Sequence, residues 1–315
     1  MEHYLILASV AIAFSIGAND MANAIGASVG SNVIRYRRAV IYAGIAVAIG
    51  AISGGGATIE TVGKGIIDTS SVDLMILGSA LFCASFVVLV ASYLGFPVSV
   101  TQSLVGALAG TGIALGIALN ESVLTNIAIV WTLLPLISLS LSFSSYFVFK
   151  AFFGRLQAQR NRAYERLIRF LVVFSTLFAA FSLGTNNIGN IVGVLEANSV
   201  LRQEYAVVLA TLGIVLGSLT FSKNVTCSLG KKITPLDPLR AFVSQFSMAI
   251  SMLLCTFIGI PVSMSQATVG SIMGCGLTRG RAGVNKQYVL KVVGSWVITP
   301  LASGALMYVI YWALW

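Results

Sequence analysis

Polar and charged positions in this chain fall in short clusters, and the stretches between them are apolar on every face. Runs of Leu, Ile, Val, Ala and Gly cover approximately 4–22, 39–58, 73–94, 99–119, 123–149, 168–187, 205–222, 240–259, 262–278 and 288–314. Most are close to the ~20 residues that a helix needs to cross a bilayer. A β-barrel would instead show alternating segments of about ten residues. The pattern predicts an all-α polytopic membrane protein with ten crossings. The first apolar run begins after Glu2 and His3 rather than after basic residues, and no cleavage pattern follows it, so it reads as a retained span.

Composition strengthens this picture. Of 315 residues, 57% are hydrophobic and 9% are charged, against roughly 25% charged in soluble domains. The formal net charge of +9 would suggest a nucleic-acid partner only if position were ignored. With the N-terminus outside and the spans alternating, 17 of the 19 Lys and Arg residues lie inside and only Lys64 and Arg202 outside. The positive-inside rule therefore predicts a multi-pass protein of the cell membrane with both termini outside and no nucleic-acid partner. Cys83, Cys227, Cys255 and Cys275 show no pair spacing and read as small packing residues.

The chain repeats itself. NDMAN at 19–23 matches NNIGN at 186–190, and GKGI at 63–66 matches GKKI at 230–233, both at an offset of 167. PVSVTQ at 97–102 matches PVSMSQ at 261–266 at 164, and Trp131 and Pro135 match Trp296 and Pro300 at 165. The expected organisation is a first repeat over 1–149, a basic cytoplasmic linker over 150–167 and a second repeat over 168–315. Each half has five spans, so the second is inverted. Inverted-topology repeats with broken or re-entrant helices are a transporter architecture, with the site near the midplane.

Two pairs of motifs carry the chemistry. The segment from His3 to Arg35 would run ~48 Å as straight helix, longer than the ~30 Å hydrocarbon core. A break at Gly17, and another at Gly184 in the second half, is the expectation. At such breaks side-chain and freed backbone oxygens can hold a small hard cation. Asn19, Asp20 and Asn23 in one motif, and Asn186, Asn187 and Asn190 in the other, are the candidate cation ligands, and Asp20 supplies the negative charge. The plainer alternative is that Asp20 sits at a helix end and meets water. A proton relay is the other standard role for an intramembrane carboxylate.

The second pair lies at Pro97 and Pro261, each in the middle of a long stretch without a formal charge. Either two crossings meet there or a re-entrant hairpin turns back; the sequence is compatible with both. In each case the residues after the proline read as a helix start, whose free N–H groups suit an oxyanion. Ser99, Thr101, Gln102 and Ser103 in one tip, and Ser263, Ser265, Gln266 and Thr268 in the other, are the candidate anion ligands. Ordinary N-capping is the plainer reading of the hydroxyls. There is no nucleotide-binding loop, no acid cluster and a single histidine, His3. The expectation is a non-enzyme without a cofactor, acting on transported ions alone.

GANDMANA, GTNNIGN and the paired PVSVTQ and PVSMSQ loops resemble the PiT family of inorganic phosphate transporters, over both halves of the chain. The resemblance implies a phosphate importer working by cation-coupled symport, Na⁺ first and H⁺ second, and it leaves a homodimer open. It maps the family's signature aspartate onto Asp20, the expected Na⁺ ligand, and phosphate contacts onto the two hydroxyl-rich tips. The chain departs from the pattern at Asn187, where the family usually has aspartate. A sulfate permease of the same fold is the alternative, and an anion channel a more distant one.

Overall fold

In the computed structural model, which describes residues 1–54, 56–158 and 162–315, the described residues form helices and no strand. The elements are α1 (Glu2–Gly30), α2 (Tyr36–Ser53), α3 (Gly56–Glu60), α4 (Leu74–Tyr93), α5 (Val100–Leu115), α6 (Glu121–Ala158) and α7 (Arg162–Asn187). They continue with α8 (Gly189–Ala197), α9 (Gln203–Phe221), α10 (Lys223–Lys232), α11 (Pro238–Phe257), α12 (Met264–Leu277) and α13 (Lys286–Leu314). Of the segment read as a linker over 150–167, residues 159–161 lie outside the described residues; the rest is the end of α6 and the start of α7.

Among the described residues, eight helices are long and apolar enough to cross a membrane, counting α7 and α8 as one. At the two places where the sequence left a full crossing or a re-entrant hairpin open, the helices are short. The runs 99–119 and 262–278 fold as α5, of 16 residues, and α12, of 14 residues. At 1.5 Å per residue these reach about 24 and 21 Å, short of the ~30 Å core. Backbone geometry cuts them short. Gly95 and Gly259 adopt φ of +78° and +74° just before Pro97 and Pro261, a conformation that costs other residues a steric clash.

The breaks expected at Gly17 and Gly184 are corrected. α1 runs unbroken for 29 residues. α7 passes through Gly184 and ends at Asn187, with a turn at Ile188 before α8. The two glycines serve helix crossings instead. A Cβ on Gly17 would lie 1.9 Å from the Ile214 carbonyl oxygen of α9, and one on Gly217 of α9 would lie 1.9 Å from that of Phe14. The other half mirrors this: Gly184 abuts the Val47 carbonyl oxygen of α2, and Gly50 that of Phe181, each at 2.2 Å from the missing Cβ. A helical glycine costs about 1 kcal/mol against alanine; here it lets two backbones touch.

The halves exchange partners. α1 packs on α9 and α7 on α2; α5 packs on α13 and α12 on α6. Gly106 of α5 sits against the Pro300 carbonyl oxygen, and Gly270 of α12 against that of Pro135. Ser303 of α13 donates to the Ser103 carbonyl at 2.7 Å, and Ser142 of α6 donates to that of Ser271 at 2.7 Å.

Polarity is distributed as a bilayer demands. Ile41, Ile45, Ile49 and Ile52 form an exposed stripe on α2, while asparagines, serines and threonines are buried between helices. Cys83, Cys255 and Cys275 are buried, but Cys227 on α10 is exposed, so the packing reading fails there. At the start of α11, Asp237 caps the helix by accepting from the Arg240 amide at 2.9 Å. Its carboxylate also pairs with the Arg240 guanidinium and, at 3.1 Å, with Arg279. Arg240 reaches the Cys275 carbonyl and the Thr278 hydroxyl and lies over the Tyr146 ring, tying α11 to the end of α12.

Candidate functional site

The two asparagine motifs meet. Asn19, Asp20 and Asn23 lie on α1, Asn186 and Asn187 end α7, and Asn190 is in the first turn of α8. All six are at most 1% exposed. Asp20 therefore does not sit at a helix end in water. Asn187 donates to its Oδ2 at 2.7 Å, and Asn23 to its Oδ1 at 3.4 Å. Neither of these donors is charged, and no Lys, Arg or His pairs with Asp20 among the described residues. An ionised carboxylate held this way is heavily desolvated and only partly repaid.

The asparagines present a surplus of acceptors. Asn23, Asn186, Asn187 and Asn190 each leave the side-chain oxygen buried without a donor. Each such orphan costs about 1–3 kcal/mol. Four such acceptors on the helices that meet around Asp20 are the kind of oxygen donors that a small hard cation takes.

The two tips also meet. Ser99 and Ser263 cap α5 and α12, accepting from the Gln102 amide at 3.1 Å and the Gln266 amide at 3.3 Å. Capping thus occupies these two hydroxyls, with Ser265 bonded to Ser263 at 3.0 Å. Ser103 is turned toward α4, donating to the Ala84 carbonyl at 2.9 Å. Thr101 donates to the Val262 carbonyl at 3.3 Å, so the tips touch. The Thr268 hydroxyl and the Gln102 and Gln266 side-chain oxygens are buried without partners. Both glutamines line one end of a largely apolar cavity of 540 Å³ that runs past Trp131 and Trp296.

The asparagine pocket and the tips are wired together. Asn190 donates to the Thr101 hydroxyl at 3.0 Å. Asn19 donates to Ser92 at 2.8 Å and to the Phe96 carbonyl at 3.0 Å, and accepts from the Val98 amide at 3.1 Å. Asn186 donates to Thr256 at 2.9 Å. Ser92 and Thr256, anchors for Asn19 and Asn186, were not among the sequence candidates. The signal for them was present: both are hydroxyls at the same repeat offset, 164, as the proline tips. Gln245 was missed as well. It donates to the Ala24 carbonyl and accepts from Ser175 and Thr176, holding α11 against α1 and α7. Nothing in its local sequence marks it.

Comparison with known proteins places this geometry. Residues 16–307 match the Phosphate transporter family. The Pyrococcus furiosus protein named "Putative phosphate permease PF1020" is 28% identical, over 98% of this chain and 95% of its own length. Sulfate permease CysP of Bacillus subtilis is 29% identical, over 98% of this chain and 87% of its own. Among solved structures, that of a protein named "The sodium-dependent phosphate transporter" superposes with a TM-score of 0.89 at 26% identity, covering 99% of this chain and 98% of that one.

Proposed function

The chain belongs to the phosphate transporter family, and on that premise we propose that it imports inorganic phosphate across the cell membrane by symport with a cation, Na⁺ before H⁺. The observation that carries the coupling is the crossing of the asparagine motifs: one carboxylate, Asp20, bonded to Asn187 at 2.7 Å and lacking a basic partner among the described residues, beside four unpartnered amide oxygens. Such a site is electrostatically incomplete without a cation. The likeness to a solved phosphate transporter that is sodium-dependent supports the choice of Na⁺.

The anion is assigned to the α5 and α12 tips. The first N–H groups of each helix have no intrahelical acceptor and lie at the positive end of the helix dipole. Because Asn190 bonds Thr101, a cation held at the motifs lies one residue away from the α5 tip and lowers the cost of bringing a dianion there. The two halves, inverted and with both termini outside, would rock against each other to expose the site alternately.

Sulfate is the second reading. It has the shape of divalent phosphate, a sulfate permease is among the similar proteins, and Asn187 leaves the paired motifs with a single carboxylate. Liposomes decide between them: labelled phosphate and sulfate uptake is measured with and without Na⁺ and proton gradients. Phosphate uptake driven by a Na⁺ gradient is expected. Gradient-independent flux would sink symport, and sulfate uptake without phosphate uptake would reverse the substrate order.

A further inference from the structure

A second, basic cavity lies away from the transport site, where the turn after α1 leads into α2. Its volume is 540 Å³, and its rim carries Arg35, Arg38, Tyr36, Tyr42 and Asn32. Arg38 and Tyr42, four residues apart, share one face of α2, and Arg35 sits at its N-cap beside them. Both arginines are exposed, and neither guanidinium makes an ion pair or hydrogen bond among the described residues. No acidic side chain among the described residues lines the cavity; its floor is apolar, with Val173 of α7 opposite α2. Tyr36 is a fixed wall, because its hydroxyl donates to the Ser218 carbonyl at 2.7 Å and meets Ser222 at 2.9 Å. A neighbouring cavity shares Asn32 and Val33 on its rim, and there Asp237, already bonded to Arg240 and Arg279, faces Arg169 and Glu165. Arg35 and Arg38 are the two arginines that share a cavity with no acidic residue among its described lining.

We propose that this cavity binds a phosphate group at the membrane surface, with the Arg35 and Arg38 guanidiniums as donors. Guanidinium forks match phosphate oxygens in pairs. The cavity sits where α1 ends and α2 begins, and tyrosines such as Tyr36 and Tyr42 favour the interface at the ends of spans. The apolar floor suits the glycerol and acyl stem of an anionic phospholipid better than a bare ion. Free inorganic phosphate presents the same oxygens, and the experiment separates the two sources.

Native mass spectrometry of the purified full chain reads the lipid arm, after incorporation into mixed phosphatidylglycerol and phosphatidylcholine. The protein is expected to retain phosphatidylglycerol at least fivefold over phosphatidylcholine. Arg35→Gln with Arg38→Gln should lower that retention at least fivefold, with unchanged gel-filtration elution and melting temperature. Arg162→Gln with Arg166→Gln, which removes two exposed charges outside the cavity, should leave it intact. Equal loss in both double variants, or no loss in either, overturns the site. Equilibrium dialysis with labelled inorganic phosphate reads the other arm. Weaker phosphate binding by the Arg35/Arg38 variant with full phosphatidylglycerol retention would reassign the cavity to the free ion and overturn the lipid.

Discussion

Asn187 donates to the Asp20 carboxylate at 2.7 Å across 167 positions of sequence. The offset between these partners is that of the internal repeat itself, so each is the other's counterpart in the opposite half. The residue that replaces the expected second aspartate is the one that bonds the first. One carboxylate is thereby held by both halves, and the proposed coupling rests on it.

Asp20→Asn keeps the shape and removes the charge. Coupled uptake should fall at least a hundredfold in proteoliposomes, about 2.8 kcal/mol at 1.4 kcal/mol per decade. A ligand that binds only the folded state raises stability by RT ln(1 + [L]/Kd). The melting temperature of the natural chain should therefore rise with NaCl over equimolar KCl, and that of the variant should not.

Asn187→Asp restores a carboxylate at hydrogen-bonding distance from the first. Two like charges in a dry pocket disfavour each other strongly. Without Na⁺ the variant should melt several degrees lower than the natural chain, and Na⁺ should recover the difference. Its uptake should depend more steeply on Na⁺, by one additional ion in a Hill plot.

Gly17→Ala places a methyl 1.9 Å from the Ile214 carbonyl oxygen, which only separation of α1 from α9 can relieve. The expected loss is about 1–3 kcal/mol, the usual cost of overpacking, with reduced uptake because α1 carries Asp20. Gly294→Ala has nothing within 4 Å of the new methyl and should be neutral or stabilising by up to about 1 kcal/mol. Melting curves of the two variants side by side make the comparison.

Asp237→Ala removes a helix cap and leaves Arg240 without its carboxylate, with an Arg240 side chain that is 11% exposed. Asp237 is itself 36% exposed, so stability should drop by about 1–2 kcal/mol, chiefly the cost of the lost cap. Arg202→Ala breaks a pair whose side chains are 75% and 71% exposed; its effect should fall within the roughly 0–1 kcal/mol typical of surface pairs. Denaturant or thermal unfolding in detergent distinguishes them.

The all-helical membrane fold was legible because burial in lipid leaves continuous apolar runs, and no other arrangement of this chain accounts for them. The tips were legible as helix starts because Pro97 and Pro261 precede residues that cap. What the sequence concealed was depth and direction. A run such as 99–119 is equally apolar whether it crosses or stops at Leu115, since no charge marks the end of a half-span. Gly17 looked like a break because glycine weakens a helix locally, but its missing side chain serves a neighbour on α9, in the other half of the chain. Among the site candidates, Asp20 and Asn187 were visible through the repeat. Ser92 and Thr256 lay inside apolar runs, where a lone hydroxyl can satisfy itself on its own helix, and only their shared repeat offset of 164 marks them.

The seating of α5 on α13 also bears on how the chain is made. Ser103 and Ser303, which join these helices, are 200 residues apart. At ribosomal speeds of about 5–20 residues per second, roughly 10–40 s separate the synthesis of the two. For that interval the first half sits in the bilayer with its short helix lacking its cradle, and the second half cannot complete its own short helix without α6 from the first. Truncations between the repeats should therefore yield fragments that the membrane's quality-control proteases degrade, and co-expression of both fragments should rescue them together.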